Sequence, residues 1–385
     1  MMKILMIAPE PFFEPRGTPF SEYFRIKSLS RLGNHIDLVT YPVGENKNIE
    51  NLRIFRSFGS IFVKSVKTGP SPIKLFLDLF LFFRAFRRIL FHKYDLIHTH
   101  EEANIMGATL SKIFGVPHLY DMHSSLVQQM ENFKFSKSSI IKGIFRNIEK
   151  ISLNNARSVI VICKSLFDYA AKITDKNKLT IIENFIDDSP EKLKKDLLEK
   201  IKSEIKKKGE IVITYTGTLE TYQGIPMLLE SFANLDKRFK LILIGGKKSQ
   251  IENIRERSFN LGISDRVLLL GRKEPDEIPY YLESSDILVS PRILGTNIPL
   301  KVYSFLKSGK PLVATDLYTH TQTLTPEISI LCKPEPKEFA EGIKIASGQK
   351  GKKIAKQARE FCNKNYSLER YDKLVNDALK KAVNF

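Results

Sequence analysis

Short apolar runs alternate with amphipathic stretches along most of this chain. In the first half, strands are predicted at Lys3–Ala8, Ile36–Tyr41, Leu52–Arg56, Asp95–Thr99, Pro117–Tyr120, Val159–Ile162 and Leu179–Ile182. Helical spacing of apolar residues covers Ser21–Leu32, Ile73–Phe91, Ala103–Phe114, Ile140–Asn154 and Lys164–Lys172. Near-continuous Val, Ile and Leu runs mark strands buried on both faces, as in a parallel sheet clothed by helices. The same grammar restarts with strands at Ile211–Tyr215, Lys240–Ile244, Val267–Leu270, Ile287–Val289, Leu312–Ala314 and Ile328–Leu331. The pattern predicts an α/β chain with two doubly wound parallel sheets, whose ligands bind outside the carboxyl ends of the strands.

Two stretches depart from this grammar. Asp187 to Gly209 carries SPEKLKKDLLEKIKSEIKKKG, with eight lysines against four acids, and reads as a solvated helix linking two domains. Residues 73–93, IKLFLDLFLFFRAFRRILFHK, place phenylalanine nearly all round a helix flanked by Lys74, Arg84, Arg87, Arg88 and Lys93. Its apolar run is too short for a bilayer, which needs about 20 residues. A basic, Phe-rich helix suits shallow insertion at an anionic membrane interface, and an ordinary core helix is the alternative. Residues 133–150 repeat the theme more weakly.

Composition narrows the function classes. A chain of 385 residues exceeds what one hydrophobic core usually supports. The net charge of +18 calls for an anionic partner: nucleic acid, a membrane surface or a phosphorylated substrate. Nucleic acid ranks last, because no aromatics interleave with the lysine run for base stacking. Cys163, Cys332 and Cys362 lie far apart without metal spacing and fit reduced core thiols. The N-terminus runs straight into a strand, with no secretion signal expected.

The most informative stretch is SPRILGTNIPLKVYSFLKSGKPLVATD, Ser290 to Asp316. Arg292, Lys301, Lys307 and Lys310 lie here, and no acid falls between Asp286 and Asp316. A strand, a polar loop and a helix N-terminus near Ile298 form a ready anion site, with Lys301 about one turn into the helix. Gly217 to Gly224 and Gly245-Gly246 end two neighbouring strands, and their N–H groups suit a diphosphate. In the first half, the Pro9–Pro19 loop contains Gly17 but no G-x-G-x-x-G, which disfavours a nicotinamide cofactor. His98 and His100 share one face of a strand; without further ligands a metal is not expected.

The ordered motifs FFEPRGTPFSEYFRIKSLSRLGNHIDLVTYP, DLIHTH, GVPHLYDMHSSL, IIENFID, YTGTLETYQGIPMLLESF, LILIGG, RVLLLGRKEPDEIPYYLESSDILVSP and NIPLKVYSFLKSGKPLVAT resemble family 4 glycosyltransferases over nearly the whole chain. The resemblance implies a GT-B fold, two Rossmann-like domains facing a central cleft. It assigns residues 1–186 to an acceptor domain, 187–209 to a linker helix and 210–365 to a nucleotide-sugar domain. The last helix, about 366–385, would pack back on the first domain. The implied reaction transfers a sugar from a nucleotide-diphosphate donor to a lipid-linked or polysaccharide acceptor. Retention, no metal or cofactor, a cytoplasmic site and peripheral contact with the inner face of the membrane accompany it.

Carried over residue by residue, Gly17 matches the first loop facing donor phosphate and acceptor, and His123 matches the histidine beside the transferred sugar. Arg16, Thr18, His100 and Asp121 fall on the acceptor side. Gly217, Thr218, Gln223, Gly224, Gly246, Arg272, Asn297, Ile298, Pro299 and Ser304 fall on the donor side. Thr218 and Gln223 stand where the family usually has Arg and Lys, and Leu294 and Ser304 where it has two glutamates. Arg292 and Lys301 are the expected substitutes, catalytic with His123. The rivals are an inactive GT-B nucleotide-sugar-binding protein and a GT-B sugar-nucleotide 2-epimerase; the acid-free Ser290–Asp316 argues against the epimerase.

Overall fold

The apolar runs become two parallel sheets. The computed structural model describes residues 1–14, 17–59, 63, 66, 72–126, 139–183 and 193–384. The chain divides into two units, Met1–Phe185 with Leu368–Phe385, and Ile186–Ser367.

In the first unit the order is β1 (Lys3–Ala8), α1 (Gly17–Arg31), β2 (His35–Thr40), β3 (Leu52–Arg56), α2 (Pro72–Phe91), β4 (Leu96–His100) and α3 (Asn104–Phe114). There follow β5 (His118–Met122), α4 (Ser139–Asn155), β6 (Ser158–Val161), α5 (Lys164–Ala170) and β7 (Leu179–Ile181). Their sheet order is β3-β2-β1-β4-β5-β6-β7, parallel throughout. Leu5, Ile7 and Val39 on the sheet meet Leu77, Leu81, Ala85 and Ile89 of α2, spaced four apart on one helical face. Each such side chain, fully buried, contributes about 1.5–3 kcal/mol.

The second unit runs α6 (Lys195–Ile205), β8 (Ile211–Thr216), α7 (Ile225–Ala233), β9 (Phe239–Ile244), α8 (Lys248–Asn260), β10 (Val267–Gly271) and α9 (Ile278–Glu283). It continues with β11 (Ile287–Ser290), α10 (Lys301–Ser308), β12 (Leu312–Thr315), α11 (Tyr318–Thr321), β13 (Ile330–Cys332), α12 (Pro336–Ser347) and α13 (Gln349–Asn365). The sheet order is β10-β9-β8-β11-β12-β13, again parallel. The last helix, α14 (Leu368–Val383), belongs to the first unit, where Asp372 accepts hydrogen bonds from Ser28 and Arg31 of α1.

Three local expectations are corrected. Helix α1 begins at Gly17, four residues early, because the segment read as a loop already coils there. Helix α6 is not a solvated linker: Ile201 and Ile205, one turn apart among the lysines, bury against Val212, Ile242, Ile244 and Tyr281. Lys301 is the first residue of α10 rather than one turn inside it.

Among the described residues no helix is long and apolar enough to cross a membrane. Helix α2 nonetheless keeps Ile73, Leu75, Phe76, Leu79, Phe83, Leu90 and Phe91 exposed opposite its buried face. On α4, Ile144 and Ile151 are exposed, while residues 133–138 lie outside the described residues.

Candidate functional site

In each sheet the strand order reverses direction once, between β1 and β4 and between β8 and β11. Loops diverge at such a switch point and leave a crevice at the strands' carboxyl ends. Both crevices are lined by charge, of opposite sign.

At the β8/β11 switch, the loop after β8 presses on the loop after β11. Gly224 takes φ +71°, and a Cβ there would stand 2.0 Å from the Pro291 carbonyl oxygen. The Ile293 N–H donates to the Tyr222 carbonyl at 3.0 Å and ties the loops together. Gly246, at φ +86°, lies so close to Leu219 that a Cβ would sit 2.3 Å from its side chain. Tyr215 donates its hydroxyl to the Thr218 carbonyl at 2.5 Å, and the Lys301 ammonium rests 3.7 Å from that ring's centroid. Lys301 Nζ donates to Gln223 Oε1 at 3.4 Å, so Thr218, Gln223 and Lys301 gather beside Gly217.

The cations here have no carboxylate partner among the described residues. Burial, helped by Arg292, pulls the Lys301 ammonium well below the usual lysine range. Burial also lowers Arg292. Its Nε and Nη1 donate to the carbonyls of Leu294 (2.8 Å) and Asn297 (3.0 Å), and its guanidinium lies 5.2 Å from the Tyr222 ring centroid. Arg292 therefore also braces its own loop, a cost to its expected role as a diphosphate ligand. Asn297 is held through its carbonyl by Arg292 and by Thr319 Oγ1 (2.7 Å). His320 joins Ser290 Oγ (2.8 Å) to Thr315 Oγ1 (3.0 Å) and is pushed down to about 3, chiefly by burial, so it acts as a neutral bolt between β11 and β12. Ile298 and Pro299 are buried at the entry to α10, and Ser304 follows Lys301 on that helix. Leu294, at the first missing glutamate, points into solvent. Arg272 follows the edge strand β10, which β9 separates from β8, so the topology does not bring it to this switch.

At the β1/β4 switch, Glu101 occupies a left-handed conformation, φ +46°, directly after β4. Its Oε1 accepts from Thr18 Oγ1 at 3.3 Å and its Oε2 from Ser124 Oγ at 2.9 Å. The first turn of α1 and the segments after β4 and β5 thus converge on one carboxylate, which burial pushes up to about 7. His123 Nε2 lies 3.3 Å from Asp121 Oδ1 and 3.3 Å from His100 Nδ1. Burial opposes protonation of His123, but the Asp121 carboxylate outweighs it and raises its pKa. Gly17 opens α1 with φ +39° in open space, and Arg16 lies outside the described residues.

Asp121 is corrected from an acceptor-side group to an internal anchor. It is fully buried, and Arg25 Nε of α1 donates to its Oδ2 at 2.7 Å. Burial would raise the carboxyl, yet Arg25 and His123 hold it well below the usual range. The guanidinium of Arg25 also lies 5.2 Å from the Tyr371 ring centroid on α14. His100 is equally buried, its ring stacked between His98 (centroids 4.8 Å apart) and His123 (5.5 Å). His98, His100 and Asp121 have ligand atoms within 4.8 Å of one another. A divalent ion among them would face the Arg25 guanidinium already seated on the same carboxylate, an unfavourable pairing of cations.

Arg25, Glu22 and Glu101 are not singled out by sequence reading. Their signal is a polar residue at core-face spacing: Glu22, Arg25 and Leu29 fall at i, i+3 and i+7, and all are buried.

Comparison with known proteins agrees with this layout. The Glycosyltransferase Family 4 model matches residues 26–189, and the Glycosyl transferases group 1 model matches residues 198–361. An uncharacterized glycosyltransferase of Methanocaldococcus jannaschii is 23% identical over 401 residues, covering 100% of this chain and 97% of that protein. The Escherichia coli UDP-Gal:alpha-D-GlcNAc-diphosphoundecaprenol alpha-1,3-galactosyltransferase is 24% identical over 275 residues, 68% of this chain and 67% of its own. Among solved structures, Anabaena HepE in complex with UDP superposes with a TM-score of 0.78 at 18% identity, covering 98% of this chain and 100% of that one.

Proposed function

The chain belongs to the family 4 glycosyltransferases, with two Rossmann-like units of GT-B type, and we propose that it moves a sugar from a nucleoside-diphosphate donor to a lipid-linked or polysaccharide acceptor of the cell envelope. The observation that carries the donor half is the β8/β11 switch: Lys301 and Arg292 converge there, and neither pairs with a carboxylate among the described residues. Unbalanced, partly buried cations are costly, and an arriving diphosphate supplies the missing charge. The UDP complex of the Anabaena protein and the undecaprenyl-linked substrate in the name of the Escherichia coli enzyme support this reading.

In the reaction, the anomeric carbon's bond to the diphosphate oxygen breaks and the acceptor oxygen takes its place. The acceptor's proton passes to the departing phosphate, with retention and without a metal. Lys301 and the N–H groups of the Gly217 and Gly246 loops meet the charge that grows on the leaving group, a contribution of several kcal/mol when preorganised. His123, its pKa raised by Asp121 against the cost of burial, orients the sugar through its ring N–H. Ser304 bonds a ribose hydroxyl in place of a carboxylate.

The exposed apolar stripe of α2, with the exposed Arg87 on the same helix, docks on an anionic bilayer at the inner face of the membrane. Sedimentation with phosphatidylglycerol vesicles, absent with phosphatidylcholine alone and lost in a Phe76→Ser/Phe83→Ser double variant, is the expected result. Binding to neither vesicle removes the membrane from this account.

A thermal-shift screen against UDP-, GDP- and ADP-sugars, with and without magnesium, tests the donor site. A donor at 100 times its dissociation constant adds about 2.7 kcal/mol of stability. One stabilising base, indifferent to magnesium and followed by release of the diphosphate in the presence of acceptor, is the expected result. Stabilisation without turnover would instead mark a nucleotide-sugar-binding protein.

A further inference from the structure

The edge of the first sheet carries a separate concentration of positive charge. From Leu52 to Tyr94 the chain holds nine lysines and arginines against one acid, Asp78. Part of that charge surrounds a hollow of about 250 Å³ between β3 and α2, lined by Phe55, Arg84, Arg87, Arg88, Phe91 and His92. β3 is the edge strand, and β2 separates it from the β1/β4 switch, so this hollow is not the crevice already described.

Arg84, Arg87, Arg88 and Phe91 follow the i, i+3, i+4 and i+7 spacing of one helical stripe on α2. Phe55 of β3 meets that stripe: the Arg88 guanidinium lies 3.9 Å from its ring centroid and the Arg84 guanidinium 5.9 Å. Arg88 is already committed, because its Nη2 donates to Asp37 Oδ2 at 2.7 Å and its Nε to the Tyr94 hydroxyl at 3.2 Å. Arg53 shares the same carboxylate, donating to Asp37 Oδ1 at 2.8 Å. Among the described residues neither Arg84 nor Arg87 forms an ion pair: Arg84 Nε is buried without a hydrogen-bond partner, and Arg87 is exposed.

A buried N–H without an acceptor is costly, and the guanidinium fork matches the oxygens of a phosphate. The hollow therefore suits a phosphate, and its neighbours say where that phosphate comes from. Phe83, Leu90 and Phe91 of α2 are exposed, and such side chains are at home in the boundary between headgroups and acyl chains. A lipid phosphate arrives together with that boundary, whereas a free phosphate leaves these side chains in water.

We propose that the hollow between β3 and α2 is a headgroup site, in which Arg84 and Arg87 hold the phosphate of an anionic phospholipid while Phe83, Leu90 and Phe91 enter the bilayer beside it. The proposal rests on the reading that α2 docks on an anionic membrane, and it names the lipid group that the docking recognises. Phe55, with the Arg88–Asp37 pair behind it, forms the floor. Phosphatidylcholine is a poor occupant, because its own ammonium would face Arg87.

The test measures partitioning of the full chain onto phosphatidylglycerol vesicles. An Arg84→Lys/Arg87→Lys double variant keeps the net charge and removes both forks, and it should bind these vesicles about tenfold more weakly with unchanged circular dichroism. Arg87→Lys alone, at an exposed position, should show a smaller loss and serves if the double variant unfolds. Glycerol 1-phosphate in solution should not displace the wild-type chain from the vesicles beyond the effect of sodium chloride at equal ionic strength. A double variant within twofold of wild type means that charge alone attracts α2, which overturns the headgroup site and leaves the docking reading intact. Specific displacement by glycerol 1-phosphate would mark a free-phosphate site and also overturn it, as would a lipid-free dimer that the Phe76→Ser/Phe83→Ser variant dissociates. Absence of wild-type binding to any vesicle overturns the docking reading itself, and this proposal with it.

Discussion

The two switch points share a geometry and differ in sign. Between β8 and β11, Lys301 and Arg292 lie beside tyrosine rings and carbonyl groups, and neither pairs with a carboxylate among the described residues. Between β1 and β4, burial raises the carboxyl groups of Glu22, Glu101 and Asp78, while Asp121 is paired with Arg25 and His123. The comparison teaches that a parallel sheet decides where a ligand sits, and the charge left uncompensated at that place decides what kind. One crevice gathers cations that pair with no carboxylate among the described residues, and the other gathers buried carboxyls whose pKa is raised.

The largest contrast comes from breaking the one balanced pair. Asp121→Asn leaves the buried Arg25 guanidinium without its counter-charge, a loss of about 3–5 kcal/mol for a buried pair deprived of one member. Denaturant unfolding followed by probes in each unit should show the first unit failing early and the second unchanged. Equal stability of the variant would mean that Arg25 and Asp121 are not paired as described.

A smaller effect is the response to pH, which separates the two regions by sign. Glu101 and Asp78, at about 7, keep protons that an unfolded carboxyl releases near its usual value of roughly 4. Their contribution to stability is complete below the unfolded value and is lost as pH rises through about 7. His123, raised above its unfolded value, acts in the same direction. Lys301 acts oppositely: with a depressed ammonium it contributes stability above the unfolded lysine value of about 10.4, which is lost as pH falls through its lowered folded value. Hydrogen exchange between roughly pH 5 and 9 should therefore show protection falling in the first unit and rising in the second. Parallel trends in both units would contradict the contrast.

Much of this was legible in the sequence because parallel strands buried on both faces read as unbroken apolar runs. Runs such as Ile4–Ile7 and Leu241–Ile244 admit few other readings. The acid-free Ser290–Asp316 likewise exposed the cationic crevice without any coordinates. What stayed hidden was burial of charge. Glu22 and Arg25 look like ordinary surface residues of an amphipathic helix until α1 is packed, and Asp121 looks like a substrate contact until Arg25 is seen seated on it. Glu101 follows two histidines that draw attention to a metal, whereas its own distinction is backbone conformation, which no residue type announces. Helix α6 departs from its polar pattern for the converse reason, since two isoleucines one turn apart suffice to dock a helix that is otherwise lysine-rich. The glycosyltransferase motifs carried the fold and the activity, but the departures at Thr218, Gln223, Leu294 and Ser304 left the donor contacts to be read from geometry.

The central claim is that the second unit holds a cation in waiting for a diphosphate, and thermal unfolding of Lys301→Met with and without UDP tests it most directly. Removing a cation that has no counter-charge relieves its desolvation cost; about 1 kcal/mol gained corresponds to roughly 2–4 °C in a unit of this size. The account predicts that the variant unfolds at a higher temperature than wild type without UDP, and that UDP no longer shifts it. A variant that unfolds earlier than wild type and still gains the full shift from UDP would contradict the account.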